Sequence, residues 1–327
     1  MPPHPYLQRL CGKVTGSSDD RSLEARLKLL ILGGCGFIGS HIAEAMRNRG
    51  HQIRIFGHIG QHHQPLADVE YRQGDFADRE AVDSALADID VVIHAISTTN
   101  PGSSNKNPAA DIQGNLISTV QLLELMRLRG IHRIVYLSSG GTVYGNPDRC
   151  PVAEDASVHP ICSYGVVKVA VENYLEMYRQ IHGFEPIILR PSNPYGPGQG
   201  HYDVQGVITS FLNRIRNGQG LQIWGDGAQV RDYIRVEDVA GLCVLAAEVP
   251  VLGTFNVGSG VGYSILDVIA IITEVTETQP EIEYHASRPF DVKRVVLDIE
   301  KAKQVFGWRP QIDLRQGIRD YWEWLRE

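Results

Sequence analysis

"LLILGGCGFIGSHIAEAM", residues 29–46, opens as four apolar residues, breaks into a turn punctuated by Gly33, Gly36 and Gly39, and resumes as a helical pattern. A short continuous apolar run bounded by glycines reads as a buried strand, and glycines at this spacing permit a tight turn with close backbone approach. The free amides and positive end of the following helix suit a pyrophosphate. A plain strand-to-helix connection would show the same glycines, but their place directly after the first buried strand favours a dinucleotide. Cys35, inside the turn, reads as a small filler.

The strand character returns in "QIRIFG" (52–57), "VVIHAI" (91–96), "RIVYLSS" (133–139) and "EPIILRP" (185–191), each separated by a helical stretch or a loop. This alternation predicts an α/β fold with a Rossmann-type, doubly wound parallel sheet covered on both faces. One connecting helix is predicted over "DIQGNLISTVQLLELMRLRG" (111–130), with Ile112, Leu116, Val120, Leu123 and Met126 at helical spacing and Gly130 as its stop. After Pro191, Gly and Pro crowd the chain and the rhythm changes, which predicts a smaller mixed α/β substrate-binding lobe. The expected division is a flexible extension over 1–26, a dinucleotide-binding domain over 27–190 with a returning segment near 232–260, and the lobe from 191–231 and 261–327.

Composition narrows the function classes. With 327 residues and 43% hydrophobic content, the chain can bury a large core. No apolar run approaches the roughly 18 residues needed to span a bilayer, and the amino terminus lacks the apolar centre of a secretory signal, so a cytoplasmic location is expected. Five cysteines, odd in number and never in a CxxC pair, argue against a disulfide framework and against zinc. A net charge of −7 disfavours a nucleic-acid or anionic-membrane footprint, leaving any phosphate to a few local groups. His58, His62 and His63 have no cysteine or acidic cluster beside them and read as a solvated loop, so no metal is expected.

Folds of this kind usually carry an acidic residue at the end of the second strand to hold the adenosine ribose. Gly57 stands there instead, and "GHIGQHHQPL" (57–66) offers no arginine for a ribose phosphate. NAD is favoured, with NADP left open.

The chemistry lies in "SYGVVK" (163–168), where Tyr164 and Lys168 are four residues apart and so share one helix face. A tyrosine is a poor base at neutral pH, but a nearby ammonium and a cationic nicotinamide favour its phenolate, which can take a proton from an alcohol. A surface pair would show the same spacing, so the surrounding motifs must decide.

Those motifs are, in order, "GGCGFIGSH", "GDFAD", "VVIHA", "NLISTVQLLE", "SSGGTVYG", "SYGVVK", "LRPSNPYGPGQ", "WGDGAQVRDYIRVEDVA" and "RPFDVKRVVLDIEKAKQVFGWRP". The chain from about Leu27 onward resembles the extended short-chain dehydrogenase/reductase family, in particular its sugar-nucleotide epimerases and dehydratases, most of all the UDP-glucose 4-epimerases. The resemblance implies Tyr164 and Lys168 as catalytic, and Gly33, Gly36, Phe37, Ile38, Gly39, Asp75, Phe76, Ala95, Ser97, Asn115 and Ser138 around the cofactor. It assigns Asn193, Trp224, Arg231 and Arg288 to a nucleotide sugar, the arginines to its diphosphate, and Val295 to the pocket position that sets sugar size. It further implies a homodimer paired through helices near 111–128 and 163–181.

Where the family's dehydratases resemble one another in an Asp-Glu pair before "VYG", this chain has Gly141 and Thr142, which favours NAD-dependent 4-epimerisation through a 4-keto sugar. A reductase, decarboxylase or dehydratase of the same fold is the alternative, and a non-catalytic dinucleotide-sensing protein the alternative from another class. One departure stands out: the epimerases' usual Ser or Thr, three residues before Val143, is here Gly140, leaving Ser139 and Thr142 as candidates for its hydroxyl.

Overall fold

The computed structural model describes residues 26–60, 65–199, 206–287 and 292–327. Residues 1–25, His62, His63 and Arg288 lie outside the described residues.

In chain order, β1 (Lys28–Leu32), α1 (Phe37–Asn48), β2 (Gln52–Gly57), β3 (Val69–Gln73), α2 (Arg79–Ala85) and β4 (Val91–His94) lead to two single turns, α3 (Pro101–Ser104) and α4 (Pro108–Asp111). A π-helical turn (Ile112–Ile117) runs into α5 (Ser118–Leu128), followed by β5 (Arg133–Leu137), α6 (Ser163–His182) and β6 (Glu185–Pro191). Then come β7 (Asn193–Tyr195), α7 (Val207–Arg216), β8 (Leu221–Trp224), β9 (Val230–Arg235), α8 (Val236–Glu248) and β10 (Gly253–Val257). The chain closes with β11 (Gly262–Ser264), α9 (Ile265–Thr276), β12 (Ile282–His285), β13 (Arg294–Val295), α10 (Glu300–Phe306) and α11 (Leu314–Arg326).

Seven strands form one sheet in the order β10-β6-β5-β4-β1-β2-β3, and every pairing in it is parallel. The reversal beside β1 is the doubly wound arrangement, which opens a crevice at the carboxyl ends of β1 and β4. The expected α/β class and doubly wound parallel sheet are therefore present. Two smaller sheets flank it: β11-β9-β13 with β7 also on β9, and β12-β8.

Both faces of the main sheet are covered, which is why its strands read as unbroken apolar runs. In β1, Leu29 and Ile31 enter one core cluster with Ile42, Met46 and Cys243. Leu30 and Leu32 enter another with Phe56, Leu123 and Leu175. Each such side chain contributes on the order of 1.5–3 kcal/mol by burial. A third cluster joins Phe211, Leu221, Val268, Ile272, Ile318 and Tyr321 beneath the smaller sheets. No helix among the described residues is long and apolar enough to cross a membrane.

The predicted helix over 111–130 needs a correction. Its first turns form α4 and the π-helical turn rather than continuous α-helix, and Ile112, expected on the buried face, is 43% exposed. A π-turn inserts one residue and rotates the residues before it out of register with those after it, so the periodicity that holds for Leu123 and Met126 fails at Ile112.

Candidate active site

The turn after β1 is built around backbone proximity. Gly33 has φ of +80°, and a side-chain carbon on Gly39 would stand 2.1 Å from the Gly33 carbonyl oxygen. The Gly36 amide donates to that oxygen at 2.9 Å. Gly36 begins α1 with no side-chain cap, so the helix's positive end faces the crevice, an arrangement suited to a pyrophosphate. Phe37, the first residue of α1, is buried, and Cys35 is buried too, its thiol pushed up to about 11 by burial, as expected of an inert filler. These residues fit a dinucleotide.

Gly57 ends β2 with φ of +148°. That conformation is essentially confined to glycine, which explains physically why no carboxylate stands there. At the end of β3, the Asp75 carboxylate accepts from the Ala77 amide at 2.8 Å. Phe76 is buried and packs edge-on against His94.

Tyr164 and Lys168 share the inner face of α6, whose first amides are held from α3. The Tyr164 amide donates to Ser104 Oγ at 3.1 Å, and that of Ser163 to Asn105 Oδ1 at 2.9 Å. Lys168 Nζ donates to the Leu137 carbonyl at 2.7 Å and lies 5.4 Å from the centre of the Tyr164 ring. Ser97, Asn115, Tyr164 and Lys168 line one narrow cleft, with His94 and Tyr136 in its wall.

The rim "YLSSGGTVYG" supplies three serine and threonine hydroxyls with three different destinations. Ser138 turns inward and donates to Glu172 Oε1 at 2.5 Å. Ser139 stands close enough to Tyr164 for its hydroxyl to favour the phenolate. Thr142 leans back toward the Ser139 carbonyl at 3.5 Å. Gly140 cannot carry a side chain here, since the added carbon would sit 2.6 Å from Leu297 Cδ1 and 2.7 Å from the Arg190 carbonyl oxygen.

Burial, reinforced by Cys162 and Asp111, pushes the Tyr164 phenol well above the usual tyrosine value, while the Ser139 hydroxyl pulls the other way. Burial lowers Lys168 to about 8, opposed by the Glu172 and Asp111 carboxylates. An added positive charge near Tyr164 is therefore what its phenolate requires.

Asn115 sits within the π-helical turn. Its Oδ1 accepts from the Thr98 amide at 2.9 Å, and its Nδ2 donates to Asp111 Oδ1 at 2.8 Å. Ser97 donates to the Thr99 carbonyl at 2.8 Å, and Ala95 is half-buried at the end of β4. Asp111 is fully buried and also accepts from Thr99 at 2.6 Å and Ser163 at 2.7 Å, tying the post-β4 loop to the start of α6.

The residues expected at a sugar nucleotide are more dispersed. Asn193 Nδ2 donates to the Asp232 carbonyl at 2.9 Å, next to Arg231 on β9. Trp224 ends β8, is 38% exposed and stacks on His285 at 5.3 Å. Val295 pairs with Arg231 in β13–β9 but is fully buried in the core, so its side chain forms no open wall in this structure. Sequence reasoning missed Asp111, His94, Glu172 and Arg190. Two were within reach: Asp111 is four residues before Asn115 and Glu172 four after Lys168, the same spacing that links Tyr164 to Lys168.

Residues 29–258 match the family model described as the NAD dependent epimerase/dehydratase family. The UDP-glucose 4-epimerase of Mycolicibacterium smegmatis is 33% identical over 311 residues, covering 92% of this chain and 99% of that one. The crystal structure of the Thermotoga maritima UDP-glucose 4-epimerase with UDP-glucose superposes with a TM-score of 0.87 at 30% identity, over 92% of this chain and 99% of that one. That of the Thermus thermophilus UDP-glucose 4-epimerase in complex with NAD gives 0.86 at 32% identity, with coverage of 92% and 99%. A nucleotide-binding turn, a Tyr-Lys pair across one cleft and this likeness along nearly the whole chain have one common account: the protein belongs to the NAD dependent epimerase/dehydratase family, within the extended short-chain dehydrogenases/reductases.

Proposed function

We propose that this protein is an NAD-dependent 4-epimerase of a UDP-linked hexose, interconverting glucose and galactose configurations or their N-acetylated forms. The observation that carries the reading is Tyr164 set beside Lys168 in the cleft at the carboxyl edge of the sheet, with Lys168 Nζ 5.4 Å from the centre of its ring.

Bound in the β1–α1 turn, the dinucleotide supplies a hydride acceptor that later returns the hydride, so it is not consumed overall. Tyr164 takes the proton of the sugar 4-hydroxyl as that carbon is oxidised, and gives it back when the keto sugar has turned over in the pocket. Ser139 holds the reacting oxygen in line with the phenol. Lys168 favours the phenolate, as the positive charge of a bound nicotinamide would. Arg231 and Arg288 meet the diphosphate, where a planar guanidinium matches phosphate geometry. With Gly141 and Thr142 before "VYG", loss of water has no acid and base to drive it. NAD is preferred over NADP because the stretch that follows β2, "GHIGQHHQPL" (57–66), offers no arginine to pair with a ribose phosphate.

A homodimer is also proposed. Val166, Tyr174, Met177 and Ile181 leave an exposed apolar stripe along α6, with Ile117 and Leu128 exposed near it, and a second copy of the same helices is its natural cover.

The test is turnover of UDP-glucose, UDP-galactose and their N-acetyl forms with product sugars identified, alongside release of the nucleotide by denaturation. Expected are the C4 epimer and NAD, with Tyr164→Phe lowering turnover by roughly a thousandfold or more while keeping fold and cofactor. Stoichiometric consumption of added cofactor, or a dehydrated product, would overturn the epimerase reading.

A further inference from the structure

We propose that Glu172 is a positioning residue for this reaction: clamped by Arg190 and gripping Ser138, it fixes the rim that presents Ser139 and the Leu137 carbonyl to Tyr164 and Lys168. The proposal rests on the reading that Tyr164 and Lys168 carry the proton step.

Tyr164, Lys168 and Glu172 follow one another at intervals of four on the inner face of α6. Arg190, on β6, grips the Glu172 carboxylate with two bonds, Nε to Oε1 at 3.1 Å and Nη2 to Oε2 at 2.6 Å. Both side chains of this ion pair are less than a tenth exposed. The remaining reach of Oε1 is to the Ser138 hydroxyl. Ser138 lies between Leu137, whose carbonyl holds Lys168, and Ser139, whose hydroxyl favours the Tyr164 phenolate. One carboxylate thus anchors the middle of a three-residue segment whose two ends touch the two catalytic side chains.

The other side of the pair reaches away from the cleft. Arg190 Nη1 donates to Tyr144 Oη at 2.8 Å and to the Glu154 carbonyl at 3.2 Å. Tyr144 donates to Asn256 Oδ1 at 2.7 Å, and Asn256 Nδ2 holds the carbonyls of Val152 and Asp298. These residues brace β6, the 152–154 loop and the end of β10 behind the rim.

A buried ion pair adds little as mere stabilisation, since apolar residues of the same volume often serve as well. What an apolar pair cannot do is hold the Ser138 hydroxyl or place a negative charge one helical turn from Lys168. The charged and titratable groups facing Lys168 are Glu172 and Tyr164 from its own helix, Asp111 from α4, Tyr136 from β5 and His94 from β4. Burial keeps Tyr136 neutral, and His94, lowered to about 3, is neutral as well. Glu172 and Asp111 are therefore the anions that favour the ammonium, and removing one makes Lys168 lose its proton at lower pH.

The test is kcat and KM against pH on the holoenzyme for Ser138→Ala, Glu172→Gln and the double variant, with NAD content measured and Tyr164→Phe as control. Ser138→Ala, which leaves the ion pair intact, should lower kcat by about tenfold, the usual effect of one lost hydrogen bond, with KM, NAD content and pH profile unmoved. Glu172→Gln should lower kcat and also move the alkaline limb down by roughly half a pH unit or more. Because Glu172 acts on the rim through Ser138, the two losses should be less than multiplicative in the double variant. A folded Glu172→Gln with an unmoved alkaline limb would overturn the proposal. So would Ser138→Ala at near-parental kcat, or with lost NAD, and this variant decides the matter if Glu172→Gln does not fold. An active Tyr164→Phe would instead remove the underlying reading.

Discussion

Gly140 and Ser139 illustrate how one residue's space decides another's chemistry. A serine at 140 would push its first carbon into Leu297 and into the Arg190 carbonyl, one flexible and one backbone. On the proposed mechanism, the hydroxyl expected at that place comes instead from the preceding residue, Ser139, which favours the Tyr164 phenolate. Ser139→Ala should then slow turnover by tens to hundreds, the equivalent of about 2–3 kcal/mol at a reacting oxygen. Thr142→Val should stay near parental, because that hydroxyl faces its own turn. Gly140→Ser should fail to rescue Ser139→Ala and should lower the melting temperature, since overpacking costs about 1–3 kcal/mol. Turnover and thermal melts of the three variants check this, and rescue by Gly140→Ser would refute it.

At the scale of the element, the β1–α1 turn makes the sharpest demand. Gly39→Ala brings a methyl to 2.1 Å from the Gly33 carbonyl oxygen, with further backbone of Gly33 and Gly34 within 3 Å. The helix must shift away from the strand, so purified Gly39→Ala should carry little NAD and melt earlier; parental NAD content would contradict this. That turn was legible because glycine spacing is local. The strands were legible for a similar reason: both sheet faces are covered, so Leu29 to Leu32 are all apolar. That Tyr164 and Lys168 share one helix face was legible from their spacing. The π-helical turn could not, because one inserted residue leaves composition unchanged while rotating Ile112 into solvent. Nor could the partners of Glu172, which come from 18 and 34 residues away and meet only once β5, β6 and α6 are packed. Gly57 was legible as a missing carboxylate, but the reason, its positive φ, is a property of the folded chain.

For the whole molecule, the two proposals, for the reaction and for a homodimer, meet on α6. Its inner face carries Tyr164, Lys168 and Glu172, while Val166, Tyr174, Met177 and Ile181 stand 52%, 37%, 38% and 66% exposed on the outside. Large apolar side chains aligned along one helix are costly to leave in water, and a twofold pairing of this helix with its copy places the same stripe on both sides of the interface. The parental protein should therefore sediment as a dimer. Met177→Arg combined with Ile181→Arg should yield monomers, because each arginine would face its symmetry mate's charge across a dry seam. Since neither residue packs within its own chain's core, the monomer should keep its fold by circular dichroism, while its melting temperature loses the concentration dependence that association confers. Turnover should fall as well, because the paired helix braces the face that holds Tyr164 against Ser139. Sedimentation of parental protein and double variant over a wide concentration range decides the question: a parental monomer throughout, or a variant that still dimerises, would place the interface elsewhere.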